Sequence, residues 1–206
     1  MPSARKSHTT TPRRLPRSAF GAASVDAILV AVENILEIDG PDRLTTNRVA
    51  DLAGVSIGSL YQYFPNKQSL VGALQDKYDE DTLSRVRTAL EGAEAMPIES
   101  VIGRIAMAIV AAKHAQRPIH RWLIEWRSAG NSAVRYRRRI DDQVELIAEF
   151  LARHPDVVLE DVDAAAFVIV NSVDGLITGV TERADVDPLR IARSAVAMVT
   201  GFVTHR

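Results

Sequence analysis

Apolar residues recur along most of the chain at spacings of three, four and seven, the period of amphipathic helices. Val25, Ile28, Leu29, Val32 and Leu36 predict a first helix from Ser24 to about Asp39, ended by Gly40-Pro41. Val49, Ala50 and Ala53 share one side of a short second helix, for which the Thr45 hydroxyl is the expected N-cap. Gly54 ends that helix, since glycine tolerates the left-handed backbone of a tight turn, Val55 fills the angle, and Ser56 caps the third helix. On that third helix Leu60 and Phe64, four apart, face inward and leave Ile57, Gly58, Ser59, Tyr61, Gln62 and Tyr63 outward. Pro65 and Asn66 stop it and cap a fourth that carries Lys67 in its first turn and runs through Leu70, Leu74 and Tyr78 toward Leu90.

Beyond Gly92 and Pro97, the pattern Val101, Ile102, Ile105, Ala106, Ile109 and Val110 predicts a largely buried helix from Ile98 to Gln116, interrupted by Arg117-Pro118. Further helices are expected around Ile119, Trp122, Leu123 and Trp126, from about Ser132 to His154, from Asp161 to about Ala184, and from Asp187-Pro188 to Val203. The last two are apolar nearly all round. A chain of 206 residues does not readily bury two such helices by itself, so self-association is expected. The candidate dimer contacts are Phe167, Gly175 and Gly179 on the first of the pair and Ala195, Met198, Val199 and Phe202 on the second. Gly175 and Gly179, four apart, either admit close approach of another helix or are simply tolerated.

A short helix with small residues at its N-terminus and polar or aromatic ones beyond fits the major groove of DNA. Ala53-Gly54-Val55-Ser56 taken alone is equally an ordinary helical hairpin. The longer run decides between them: Ile28-Leu29, Gly40, Leu44-Thr45, Val49-Ala50, Ala53 to Ser56, Gly58 to Tyr61, Tyr63-Phe64, Lys67 and Leu70 together resemble the DNA-binding domain of the tetracycline-repressor (TetR/AcrR) family.

The resemblance implies base reading by Asn47, Ile57, Gly58, Ser59 and Gln62, and backbone contacts by Thr46, Tyr61, Tyr63 and Lys67. Thr45, Arg48 and Ser56 complete the candidate DNA-binding set, Arg48 being equally a plain surface charge. Side-chain chemistry agrees with these assignments. The Gln62 amide suits adenine, Ser59 donates or accepts, Ile57 offers apolar contact to a thymine methyl, and hydroxyls and ammonium suit phosphates. Ile57 departs from the polar or basic residue often found there in the family, so fewer direct base hydrogen bonds are expected.

The same resemblance implies an all-α fold of about nine helices, organised as a basic arm (1–22), a three-helix helix-turn-helix domain (23–68) and a ligand-binding and dimerisation domain (69–206). It also implies a homodimer through the last two helices, a double-stranded DNA operator as partner and a small-molecule effector. For the effector, Asn171, Asp174 and Thr178 form a polar stripe on an otherwise apolar helix, and buried polar groups need partners, whether an effector or the other subunit. Met107, Trp122, Trp126 and Tyr136 are candidates for an apolar pocket wall, or else plain core.

Charge is uneven. The net charge is −1, but residues 1–20 hold Arg5, Lys6, Arg13, Arg14 and Arg17 and no acid, so the other 186 carry −6. Such an arm either lies along DNA or serves as a solubilising tail. Arg135, Arg137, Arg138 and Arg139 are expected on a solvated or salt-bridged face, and Asp79, Glu80, Asp81, Asp141 and Asp142 on solvated ones.

Without cysteine there is no disulfide, thiol nucleophile or cysteine zinc site. No uninterrupted run of eighteen apolar residues and no signal peptide is apparent, so a cytoplasmic protein without a membrane partner is expected. His114 and His120, six apart and split by Pro118, lack the helical spacing of metal ligands. With no phosphate loop or nucleophile elbow either, no catalytic residue, metal or cofactor is expected. The reading is a DNA-binding repressor released by an effector. The alternatives are a regulator controlled by a partner protein or by abundance, and a helical enzyme using the C-terminal cavity.

Overall fold

The computed structural model describes residues 19–115, 119, 122, 123, 126, 133–181, 183 and 185–204. The arm with its five basic residues lies outside them up to position 18, as does most of the predicted helix around Trp122. Among the described residues the ordered elements are all helical: α1 (Ala19–Ile38), a 3-10 turn (Pro41–Arg43), α2 (Thr46–Ala53), α3 (Ile57–Tyr63), α4 (Lys67–Leu90), α5 (Ile98–Ala115), α6 (Ala133–Leu151), α7 (Val162–Thr181) and α8 (Pro188–Thr204). Two compact units divide the chain, Met1–Lys77 with Trp122–Ala133 and Tyr78–Arg121 with Val134–Arg206.

In the first unit α1 packs on α2 and α2 on α3. Ile28, Val32, Ile35 and Leu36 from α1, Val49 and Ala50 from α2, and Leu60 with Phe64 from α3 are all at most 2% exposed. Helix α1 already includes Ala19, five residues before the expected Ser24. The turn between α2 and α3 follows the sequence closely. Gly54 has φ 67°, its N–H bonds to the Ala50 carbonyl, and the Ser56 hydroxyl accepts from the Ser59 N–H to cap α3. Asn66 and Ser69 cap α4 reciprocally, the Asn66 carboxamide oxygen accepting from the Ser69 N–H at 2.8 Å and the Ser69 hydroxyl from the Asn66 N–H at 3.3 Å.

The units part at 77/78 rather than at the expected 68/69. Helix α4 runs unbroken through both points, and its fully buried Leu70 and Leu74 belong to the first unit. A boundary based on where a helix starts cannot anticipate how many of its turns a neighbouring core takes up.

The second unit has a core of Val86, Leu90, Ala93, Ile98, Val101, Phe150, Leu151, Ala166, Val199 and Val203. Helix α8 packs against both α5 and α7. The start of α5 is capped from far away in sequence, the Asp156 carboxylate accepting from the Ile98 N–H at 3.0 Å. Beside it, His154 is 4% exposed; its Nε2 lies 2.9 Å from the Met96 carbonyl oxygen, and its Nδ1 accepts from the Asp156 N–H at 3.2 Å. Those two bonds fix the tautomer with hydrogen on Nε2, and they tie the loop before α5 to the loop after α6.

By length and mean hydropathy Val162–Val180 of α7 is apolar enough to cross a bilayer, as the exposed interface helix of a protein outside the membrane also can be, and little of it is buried within the protomer. Counting uninterrupted apolar residues misses a helix whose few polar groups are widely spaced.

Candidate nucleic-acid interface and effector cavity

The turn geometry of α2 and α3 leaves one face of the first unit open. Asn47, Gly58 and Gln62 are exposed, Ile57 is 39% and Tyr61 43% exposed, and Ser59 and Tyr63 are partly buried. Several of these side chains already hold one another. The Thr46 hydroxyl lies 3.1 Å from that of Tyr61, which joins α2 to α3 through two groups that each suit a phosphate. The Ser56 and Ser59 hydroxyls are 2.7 Å apart, so Ser56 acts as a cap and as the orienting partner of Ser59. Thr45 likewise spends its hydroxyl on the Arg48 N–H.

The basic candidates are less free than the sequence implied. The Arg48 guanidinium is paired with Asp39 at 2.6 Å, and the Lys67 ammonium donates to the Pro41 carbonyl. A carboxylate at that distance offsets the Arg48 charge, so its contribution to a phosphate contact is reduced. Both partners come from the segment that joins α1 to α2.

In the second unit a cavity of about 660 Å³ is bounded by α5, α6, α7 and α8. Its walls are aliphatic: Ile102, Ile105 and Ile109 from α5, Ile147 from α6, Ile169, Val173 and Ile177 from α7, and Ile191 and Val196 from α8. Lys113, His114, Arg183 and Asp187 are the ionisable residues on its lining. Arg183 pairs with exposed Asp185, and that hydrogen bond holds the Asp185 carboxyl below its usual range.

A smaller cavity of about 80 Å³ shares Ile105, Ile109, Lys113, Ile147, Ile169, Val173 and Ile177 with the large one. At its polar side the Arg139 guanidinium lies 2.8 Å from the Asp174 carboxylate and 3.7 Å from Asp79, the three side chains being 11%, 15% and 17% exposed. The Tyr136 hydroxyl donates to Asp174 at 3.0 Å, and its ring lies under the Arg139 guanidinium, 5.0 Å from centroid to carbon.

Of the effector candidates read from sequence, Asp174 lines the smaller cavity and Tyr136 supports it. The others fall elsewhere. Asn171 donates to the Phe167 carbonyl and Thr178 to the Asp174 carbonyl, so each satisfies its polar group on its own helix. Met107 is 55% exposed and absent from both linings. Trp122 and Trp126 group with the first unit, where Trp122 lies 3.9 Å from the place a Cβ on Gly40 would occupy. Asp79, 17% exposed beside Arg139, corrects the solvated-surface expectation for that carboxylate, whereas Arg139 is salt-bridged, one of the two alternatives read for its cluster. Ile169, Val173 and Ile177, spaced by four, were a visible signal of the cavity wall, but nothing local separates such a stripe from core.

The dimer candidates also divide. Phe167, Met198 and Phe202 are 56%, 49% and 44% exposed, and Gly175 and Gly179 are exposed with no neighbour within 4 Å of an added Cβ. Val199, by contrast, is 7% exposed in the protomer core, and Ala195 lines the large cavity. Val199 thus contributes to the protomer core and Ala195 to the cavity wall.

Residues 21–74 match the family model described as bacterial regulatory proteins, tetR family. Residues 97–203 match the tetracyclin repressor-like C-terminal domain. The chain belongs to the TetR family of DNA-binding transcriptional regulators. A TetR-family transcriptional regulator from Streptomyces coelicolor is similar at 26% identity and TM-score 0.68, over 90% of this chain and 99% of that one. SmeT, in a complex with triclosan, shares the fold at 18% identity and TM-score 0.68, over 89% of this chain and 92% of that one. The nucleoid occlusion factor SlmA of Haemophilus ducreyi is 25% identical over 91 residues, 43% of this chain and 45% of that protein. The chain therefore spans less than half the length of that curated relative. The two matched segments of the family coincide with the helix-turn-helix and with the cavity-bearing helices.

Proposed function

We propose that the protein is a repressor that binds a near-palindromic operator as a homodimer and leaves it when a small apolar molecule occupies the cavity bounded by α5 to α8. The observation that carries this reading is the presence, in one TetR-family chain, of an open α2–turn–α3 face and an aliphatic cavity of about 660 Å³. That volume lies within the roughly 300–1,000 Å³ usual for small-molecule sites. It favours effector control over control by a partner protein or by abundance alone. The triclosan complex of SmeT is an instance of a small aromatic molecule bound by a protein of this fold.

In this reading Asn47, Ile57, Gly58, Ser59 and Gln62 meet base edges, while Thr46, Tyr61, Tyr63 and Lys67 meet phosphates. Dimerisation uses the outward stripe of α7 and α8, with Phe167, Gly175, Gly179, Met198 and Phe202 at the seam, and a two-fold axis then sets two α3 helices on successive major grooves. Control is a population shift: an effector lowers operator affinity by its preference for the non-binding arrangement, and by no more. Such a protein acts in the cytoplasm, where its DNA is.

The test is to sequence DNA fragments that co-purify with the protein and to titrate the enriched fragment by fluorescence anisotropy. A palindromic motif is expected, and recovery of random fragments only would count against operator binding. On that fragment Gln62→Ala is expected to relax preference at one position of each half-site by about 1–3 kcal/mol. An unchanged preference in a randomised-operator selection would remove Gln62 from the base-reading set.

A further inference from the structure

We infer that the effector is a neutral molecule with an aliphatic body and a carbonyl-type oxygen, the body filling the large cavity and the oxygen accepting a hydrogen bond from Arg139. This deepens the effector reading above and rests on it.

Two features of the smaller cavity lead there. The first is an unfilled donor. Arg139 lines the cavity, and its Nε–H is buried with no hydrogen-bond partner, the Asp79 oxygen at 3.7 Å being beyond bonding distance. A buried donor in that condition is costly, so a complementary acceptor gains from meeting it. The second is charge balance. The charged residues on this lining are Asp79, Asp174, Lys113 and Arg139, two of each sign. A carboxylate or ammonium entering among them would leave one charge uncompensated in a low-dielectric site, which a neutral oxygen does not.

The aliphatic requirement follows from the shared wall. Ile105, Ile109, Ile147, Ile169, Val173 and Ile177 line both cavities, so the Arg139 side and the large cavity adjoin along one aliphatic wall that Lys113 also borders. Asp174 and Tyr136 hold the guanidinium in place for it, the former at 2.8 Å and the latter by stacking.

The experiment is calorimetric titration of the intact protein with four probes of equal chain length: octane, 2-octanone, octanoate and octylammonium. The ketone is expected to bind at least about tenfold more tightly than any of the other three, the factor a hydrogen bond to a charged donor supplies. In Arg139→Lys, which keeps the charge but not the Nε–H, the ketone is expected to fall to the affinity of octane, and unchanged octane binding shows that the cavity is intact. Equal binding of ketone and octane by the native protein, or tightest binding of octanoate or octylammonium, overturns the inference and leaves the effector reading standing. Binding of none of the four removes the effector reading and the inference together.

Discussion

Phe202→Asp is expected to convert the protein to a monomer and to weaken operator binding on the order of 10²–10⁴-fold, the loss expected when two linked half-site contacts become independent. Phe202 is 44% exposed on α8, four residues from Met198 at 49%, and Phe167 on α7 is 56% exposed. In a two-fold dimer the substitution appears twice at one seam, so two carboxylates would be desolvated without partners. Because the side chain leaves the protomer core untouched, helical content and thermal unfolding should stay close to native. Sedimentation velocity and operator titration check this together. A variant that remains dimeric with native affinity would mean that α7 and α8 are covered by something other than a second copy.

Leu60→Ala is expected to cost about 2–5 kcal/mol, the range for deleting a fully buried leucine side chain. Leu60 is 0% exposed on α3, which packs on α2 in a small core, so the loss is a large share of what holds α3 in place. The consequence should be local. Amides of α2 and α3 are expected to lose hydrogen-exchange protection and operator binding to disappear at growth temperature, while the second unit keeps its protection. Protection of the α3 amides at the native level would show that another contact anchors the helix.

The first unit was legible from sequence because its determinants are local. Thr45, Gly54, Ser56 and Asn66 each act within four residues of where they stand, as caps or as a left-handed turn, and the inward pair Leu60 and Phe64 follows from helical period alone. The second unit was legible only as a series of helices. Its long-range ties, such as Asp156 to the Ile98 N–H and His154 to the Met96 carbonyl, join residues 58 apart, and no pattern within a helix announces them. The same holds for the effector candidates. A polar residue on an apolar helix signals a need for partners, but Asn171 and Thr178 met that need on their own helix, whereas Asp174 met it through Arg139 and Tyr136.

The sequence by itself determined the helical architecture, the turn that presents α3, the side chains on its outward face and the need of α7 and α8 for further cover. Periodicity, capping and backbone preference are properties of a few consecutive residues, so they survive reading in one dimension. Only the tertiary structure decided which apolar stripes enclose a cavity, which of the seam candidates face inward, and which charges are spent. Arg48 on Asp39, Lys67 on the Pro41 carbonyl and Arg139 between Asp79 and Asp174 are settled by what the fold sets beside them. Whether a charge is free or paired, and whether an isoleucine lines a core or an opening, depends on what packs against it.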